Sequence, residues 1–220
     1  MSRLTIVIAT RNKGKSAEII EFLKDYPVEL KDLNDFGPIP EPVEDGATFE
    51  ENAYKKASFT AKILGLPALA DDSGLEVDAL EGAPGVYSAR YSGPDATDAK
   101  NNEKLLRELS GTENRKARFC CVLSLAVPSG PALTYEAFSE GVILDSPRGG
   151  NGFGYDPLFY YPPEEKTFAE MGREEKSRVS HRGRALAELR REFEKVLKWL
   201  ERRHEEDEIR RGAHDICQNH

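Results

Sequence analysis

Three things are scarce in this chain of 220 residues, and each scarcity excludes something. Long apolar runs are absent: none approaches the roughly 18 residues that a membrane-spanning helix requires, so no membrane partner is expected. Cysteines number three, and two of them, Cys120 and Cys121, are adjacent. Neighbours on a strand point to opposite faces, and no CxxC or His-rich spacing accompanies them. Neither a disulfide framework nor a structural zinc site follows, and free, reduced thiols are expected. Positive charge is also in deficit, with 31 Lys and Arg against 39 Asp and Glu and a formal net charge of −8. Duplex binding rests on a broad basic face, so nucleic acid is not an expected partner and any phosphate binding must be local. The apolar stretch within residues 1–10 is broken by Thr5, is too short for a signal-peptide core and lacks a small-residue cleavage site. The expected compartment is the cytoplasm.

The patterning that is present alternates strand and helix, without repeats or low-complexity segments. Residues 4–9 form a branched apolar run that reads as a buried strand. It stops at a polar loop, and Ile19, Ile20, Phe22 and Leu23 give residues 15–24 the inward face of a helix. A second strand is expected at 28–33. Thr48 and Glu51 have capping-box spacing, and Phe49, Ala53, Ala57, Ala61 and Leu64 mark one face of a helix closed by Gly65. Residues 66–70 predict a short strand running into Asp71-Asp72-Ser73-Gly74, with 75–80 as its possible partner. A helix follows at 98–109. Residues 117–127 and 133–143 predict long strands joined by the turn Pro128-Ser129-Gly130-Pro131. A Gly-rich loop at 149–157, an apolar segment at 158–161 and a short helical segment near 167–172 come next. A last helix is expected to begin near Ser180, before a polar tail at 201–220 that should fray. Crossover units together with a long hairpin indicate an α/β protein with a mixed sheet.

Four groups of residues carry possible chemistry. The first loop ends in Gly14-Lys15-Ser16, but Ala9 stands where a P-loop would need its leading glycine. What remains is a loop with Arg11, Lys13 and Lys15 at a helix N-terminus, suited to an anion, or else a solvated basic cap. Asp71-Asp72 supplies paired oxygen ligands of the kind that Mg²⁺ takes together with substrate phosphates; the same residues also make an ordinary strand-ending turn. Phe153-Gly154-Tyr155-Asp156 offers rings that stack on a planar base or plug the core. Lys176, His181 and Arg182 add cations before the last helix, able to address a purine edge or simply to be solvated. Taken jointly, these four fit a nucleotide site.

At this point the motifs become specific. Thr10-x-Asn12-x-x-Lys15, Thr48-Phe49-x-x-Asn52-Ala53-x-x-Lys56-Ala57, Asp71-Asp72-Ser73-Gly74-Leu75, Gly82-Ala83-Pro84-Gly85, Phe153-Gly154-Tyr155-Asp156 and Lys176-Ser177-x-x-Ser180-His181-Arg182-Gly183 occur in that order. Together they resemble the inosine/xanthosine triphosphate pyrophosphatase family over roughly residues 4–198. The resemblance implies an elongated α/β fold, with a long mixed sheet and flanking helices forming two lobes around a central cleft. One such domain would occupy 1–200, the tail 201–220 lying outside it. The implied activity is hydrolysis of non-standard purine nucleoside triphosphates (ITP, dITP, XTP) to monophosphate and pyrophosphate, by a Mg²⁺-dependent homodimer.

Carried over by position, Thr10, Arg11, Asn12, Lys13, Gly14 and Lys15 would hold the triphosphate, assisted by Lys56 and Lys176. Asp72 would be the general base and a metal ligand, with Glu44 as the second metal carboxylate; Glu41 and Asp45 are alternatives, because Asp45 stands where the family often has Thr. Ser73 would lie against the nucleotide. Phe153, Gly154, Tyr155 and Asp156, with His181 and Arg182, would hold the base. Two other readings stay open: a pyrophosphatase for modified pyrimidine nucleotides, and a nucleotide-sensing module without turnover.

Overall fold

The computed structural model describes residues 3–40 and 42–218, and of 208 and 210–218 only the backbone. The first strand, β1 (Leu4–Ile8), runs into helix α1 (Lys13–Leu23). This helix starts two residues earlier than the apolar spacing predicts, because the side chain of Asn12 accepts from the Lys15 N–H and caps it inside the polar loop. Strand β2 (Val28–Asp32) pairs parallel to β1. Helix α2 (Phe49–Leu64) is capped by Thr48 and ends at Gly65 as expected. The Glu51 carboxylate accepts from the Ala47 N–H, one residue outside a strict capping box.

The acidic pair brings the first correction. Instead of a short strand ending at Ala70 and a separate partner, β3 (Ala68–Val77) is one strand of 10 residues. It is paired along its whole length with the antiparallel β4 (Lys116–Ala126), with Asp72 opposite Val122. Its pairing with β1, in contrast, covers only Val7 with Ala68 and Ile8 with Leu69. Asp71 and Asp72 therefore sit mid-strand on one side and just past the end of a parallel neighbour on the other. That second position is where α/β sheets place ligands. Asp-Ser-Gly is ordinary turn chemistry, and only the pairing with β4 overrides it.

Helix α3 (Asp98–Glu108) precedes β4, and the expected hairpin is completed by β5 (Ala132–Ile143). Short strands β6 (Phe159–Tyr161) and β7 (Lys166–Thr167) finish the sheet, whose order among the described residues is β2-β1-β3-β4-β5-β6-β7. The first three strands are mutually parallel and the rest antiparallel, which is the mixed sheet expected.

The C-terminal helical region is more divided than its sequence suggests. Helix α4 (Arg173–Val179), which the apolar spacing did not reveal, precedes α5 (His181–Arg191), capped by Ser180. Contact between them is close enough that a Cβ on Gly183 would lie 1.7 Å from the Ser177 carbonyl oxygen. Only glycine lets Lys176 on one helix and Arg182 on the other meet at one place. Glu192 then breaks the single helix expected, and α6 (Phe193–Gln218) continues beyond residue 200. The start of the tail does not fray: Asp207 is buried, accepts from the Ser129 hydroxyl at the β4–β5 turn, and so pins the helix to the hairpin.

Two groups of core residues lie toward opposite ends of β4 and β5. One packs Ile6, Ile19, Leu69 and Leu123 against Leu186 and Phe193, with Val7, Ala68 and Ala70 meeting α2 on the reverse face. The other gathers Leu75, Leu105, Phe159 and Phe168. They are the cores of two lobes. Among the described residues, no helix is long and apolar enough to cross a membrane.

A candidate nucleotide site between the lobes

Side-chain alternation along β3 separates the two aspartates. Leu69 and Asp71 face α1 and α5, whereas Ala70 and Asp72 face α2. On the first face Asp71 is fully enclosed. Its carboxylate accepts from Arg182 Nε at 2.9 Å and from the Ser73 hydroxyl at 2.8 Å, and it pairs with Lys15 Nζ. Burial works against its charge, but Arg182 and Lys15 outweigh burial and hold the carboxyl well below the usual range. Asp71 is thus an anchor that stays ionised at neutral pH. Ser73, expected against the nucleotide, both bonds to Asp71 and lines the pocket described below.

On the second face, Asp72 meets Lys56 Nζ at 2.6 Å, and the same ammonium lies 3.7 Å from Glu44. Burial raises the Asp72 carboxyl above its ordinary value, and Lys56 opposes this only in part. A carboxylate that is partly desolvated yet reachable suits a general base. Glu44 and Asp72 converge on one cation, and their oxygens suit a hard divalent metal, which needs only one or two protein carboxylates when phosphate oxygens complete its shell. Among the described residues no group of three His, Cys, Asp or Glu is placed to cage a metal. Of the alternatives, Asp45 is exposed and taken by Lys55 at 2.6 Å, and Glu41 lies outside the described residues.

The loop expected to hold the phosphates has a definite orientation. Thr10 accepts from the Asn12 N–H, Asn12 caps α1, Lys13 is exposed and Lys15 reaches Asp71. Arg11 donates instead to the Leu33 carbonyl at 3.1 Å, toward β2. Gly14 lies close against the Phe153 ring, which crosses from the other lobe.

Beyond Phe153 is a cavity of about 150 Å³, lined by residues that include Lys15, Ser73, Phe119, Phe153, His181 and Arg182. Typical ligand pockets measure ~300–1,000 Å³, so this one is large enough for only part of a nucleotide. Lys176 and Arg182 stand 4.9 and 5.6 Å from the Phe153 ring centre. Lys176, expected to assist the phosphates, pairs with Asp156 at 2.6 Å, and Asp156 accepts from the Phe153 N–H, so the ammonium lies against the loop expected to hold the base. Tyr155 is buried with its hydroxyl on the Ser88 carbonyl, so it braces the loop and does not present a stacking face. Gly154 is gripped from α3, its N–H by Asp98 at 2.7 Å and its carbonyl by Asn102 at 3.0 Å.

His181 stacks on Phe119, with ring centres 4.6 Å apart at 16°. Burial first, then the charges of Arg182 and Lys176, push it well below the ordinary value, so it is a neutral imidazole at pH 7. Its Nδ1 is buried without a partner, a polar atom left for a ligand to satisfy.

Sequence reasoning missed Phe119, Glu18, Asp98 and Asn102. None has a local signature, since each is recruited across at least 50 residues of chain: Glu18 meets Arg182 at 2.5 Å, and Asn102 reaches Gly154.

The model of the Ham1 family matches residues 6–192. A dITP/XTP pyrophosphatase of Syntrophobacter fumaroxidans is 72% identical over 218 residues, covering 99% of this chain and 94% of that one. One from Thermus thermophilus is 59% identical, covering 84% and 90%. Among solved structures, the Ham1 protein of Staphylococcus aureus superposes with a TM-score of 0.79 at 42% identity, covering 87% of this chain and 99% of that one. The dITP/XTP pyrophosphatase of Mycobacterium abscessus gives 0.70 at 46% identity, covering 84% and 98%.

Proposed function

The chain belongs to the Ham1 family, and from that premise we propose that it hydrolyses non-standard purine nucleoside triphosphates (ITP, dITP and XTP) to monophosphate and pyrophosphate. The observation that carries this reading is the junction at β3. Lys15 and Asp71 link the phosphate loop to the enclosed pocket of Arg182 and His181, while the next residue, Asp72, presents a raised-pKa carboxylate on the other face.

Hydrolysis at the α-phosphorus needs a water to be oriented and deprotonated on one side and charge to be offset on the other. Asp72 orients and deprotonates the water, help usually worth about 10²–10⁴-fold. Lys15 and Lys56 are placed to neutralise charge on the phosphates, for which Lys15 exchanges its contact with Asp71. Glu44 and Asp72 would hold Mg²⁺, which would supply further charge neutralisation on the phosphoryl oxygens. In the pocket, Phe153 stacks on the ring and Arg182, a donor that is always charged, meets the 6-oxo acceptor that ITP and XTP share and ATP lacks. His181, neutral and with an unpartnered Nδ1, offers a second polar contact. The enzyme is read as a homodimer of the cytoplasm, where it clears the nucleotide pool.

The test is pyrophosphate release from ITP, XTP, ATP and a modified pyrimidine triphosphate with Mg²⁺, for the wild-type chain and Arg182→Lys. The reading requires kcat/KM for ITP and XTP far above the others, and a preference over ATP that flattens in the variant. Binding without turnover would make the chain a sensing module. Preference for the pyrimidine would overturn the base assignment.

A further inference from the structure

We infer that Glu18 is a positioning residue for base discrimination: from the helix that carries the phosphate loop, it aims Arg182 and Lys176 at the base pocket. The inference rests on the pocket reading given above.

Glu18 lies three residues after Lys15 on α1, so both side chains leave the same face of that helix. Its Oε2 accepts from Arg182 Nη1 at 2.5 Å, and its Oε1 stands 3.6 Å from Lys176 Nζ. Glu18 thus spans the two cations. Asp71 holds the Nε edge of Arg182, and Asp156 holds Lys176. The guanidinium is therefore fixed on two sides, by Asp71 and by Glu18, which sets the direction of the donors that remain. A rigid planar fork reads a base edge only if its plane is fixed.

Charge leads to the same conclusion. Lys15, Arg182 and Lys176 face Asp71, Asp156 and Glu18, so three positive groups meet three negative ones in a poorly solvated cluster. Arg182 and Lys176 stand on separate helices, each within 6 Å of the Phe153 ring. Without the Glu18 charge they repel across the space where the base would lie. Glu18 retains about 20% side-chain exposure, so its replacement by the isosteric amide leaves no cavity.

The experiment compares Glu18→Gln with wild type on ITP and ATP, alongside the affinities of IMP and inorganic tripolyphosphate by titration calorimetry. Losing a charge-assisted hydrogen bond should lower kcat/KM for ITP by roughly ten- to a hundred-fold, mostly through KM, and for ATP by less than about three-fold. IMP should bind more weakly in proportion, and tripolyphosphate should bind as before. A merely structural ion pair would lower both nucleotides alike. An equal fall for ITP and ATP, no fall, or unchanged IMP affinity overturns the inference. Arg182→Lys, measured in parallel, separates the two levels: if it flattens the preference and Glu18→Gln does not, only the role of Glu18 fails. If neither does, the pocket reading fails first. Glu18→Asp keeps the charge at a shorter reach and should retain more of the ITP preference than Gln; circular dichroism checks folding, and should Gln not fold, the Asp variant decides by the same ITP-to-ATP ratio.

Discussion

Asp71 and Asp72 are consecutive in the chain, and their carboxylates serve opposite faces of one strand: the first is locked by Arg182 and Lys15, the second meets Lys56. Strand alternation alone produces this division of labour. On the proposed reading, one carboxylate organises the base side and the other is left for chemistry.

Asp72→Asn is expected to abolish nearly all turnover while the protein folds normally, because shape is kept and the proton acceptor is lost. Pyrophosphate release and far-UV circular dichroism on the same preparation check this. Turnover within a few-fold of wild type would remove Asp72 from the mechanism.

Lysine charge should matter by place. Lys15→Ala and Lys56→Ala are expected to lower kcat/KM for ITP by at least roughly ten-fold each, whereas Lys195→Ala, exposed on α6, should not. Three equal effects would indicate general charge and no phosphate cradle.

Gly46 is a steric test of the proposed metal carboxylate. A Cβ there would lie 2.5 Å from Asn52 Oδ1, the atom that accepts the Gly46 N–H and holds the segment after Glu44 on α2. Gly46→Ala should displace Glu44 and raise the Mg²⁺ concentration that gives half-maximal activity and half-maximal calorimetric binding. Unchanged Mg²⁺ dependence by both readouts would detach Glu44 from the metal.

Asp207→Ala should lower the melting temperature by about 2–4 °C, the effect of one hydrogen bond worth ~1 kcal/mol in a chain of this size. Ser129→Ala should do much the same, and the double variant little more, since both remove one contact. Additive losses would show that the two residues act separately.

His181 sets a pH dependence of stability. Its folded pKa is depressed by burial, so the folded state stays neutral while the unfolded chain takes up a proton below about pH 6.5. The sign is therefore a loss of stability as pH falls from about 6.5 toward 5, by up to about 1.4 kcal/mol per pH unit. Asp71, whose folded pKa is also depressed, loses its contribution only at pH values below the ordinary carboxylate range. Denaturant unfolding at several pH values should show a shallower slope for His181→Asn than for wild type, and equal slopes would contradict a buried neutral imidazole.

Much of this protein is decided locally. The strand and helix periods of β1, α1, α2, β4 and β5, the Thr48 and Ser180 caps and the hairpin turn follow from neighbouring residues, because helix and strand spacing, capping and turn chemistry act within a few positions. The order of the motifs likewise identified the family without the fold. What tertiary structure alone decided lies in contacts between distant residues. Local apolar spacing ends a strand at Ala70, yet pairing with β4 carries it through Asp72 to Val77. Lys176 meets Asp156 beside Phe153 because Gly183 lets α4 and α5 touch, and Glu18 meets Arg182 only because α1 and α5 pack side by side across more than 160 residues of sequence. Charge pairs of that separation leave no periodic trace in a sequence, since their partners are chosen by where the backbone comes together and by which buried charges must be neutralised there.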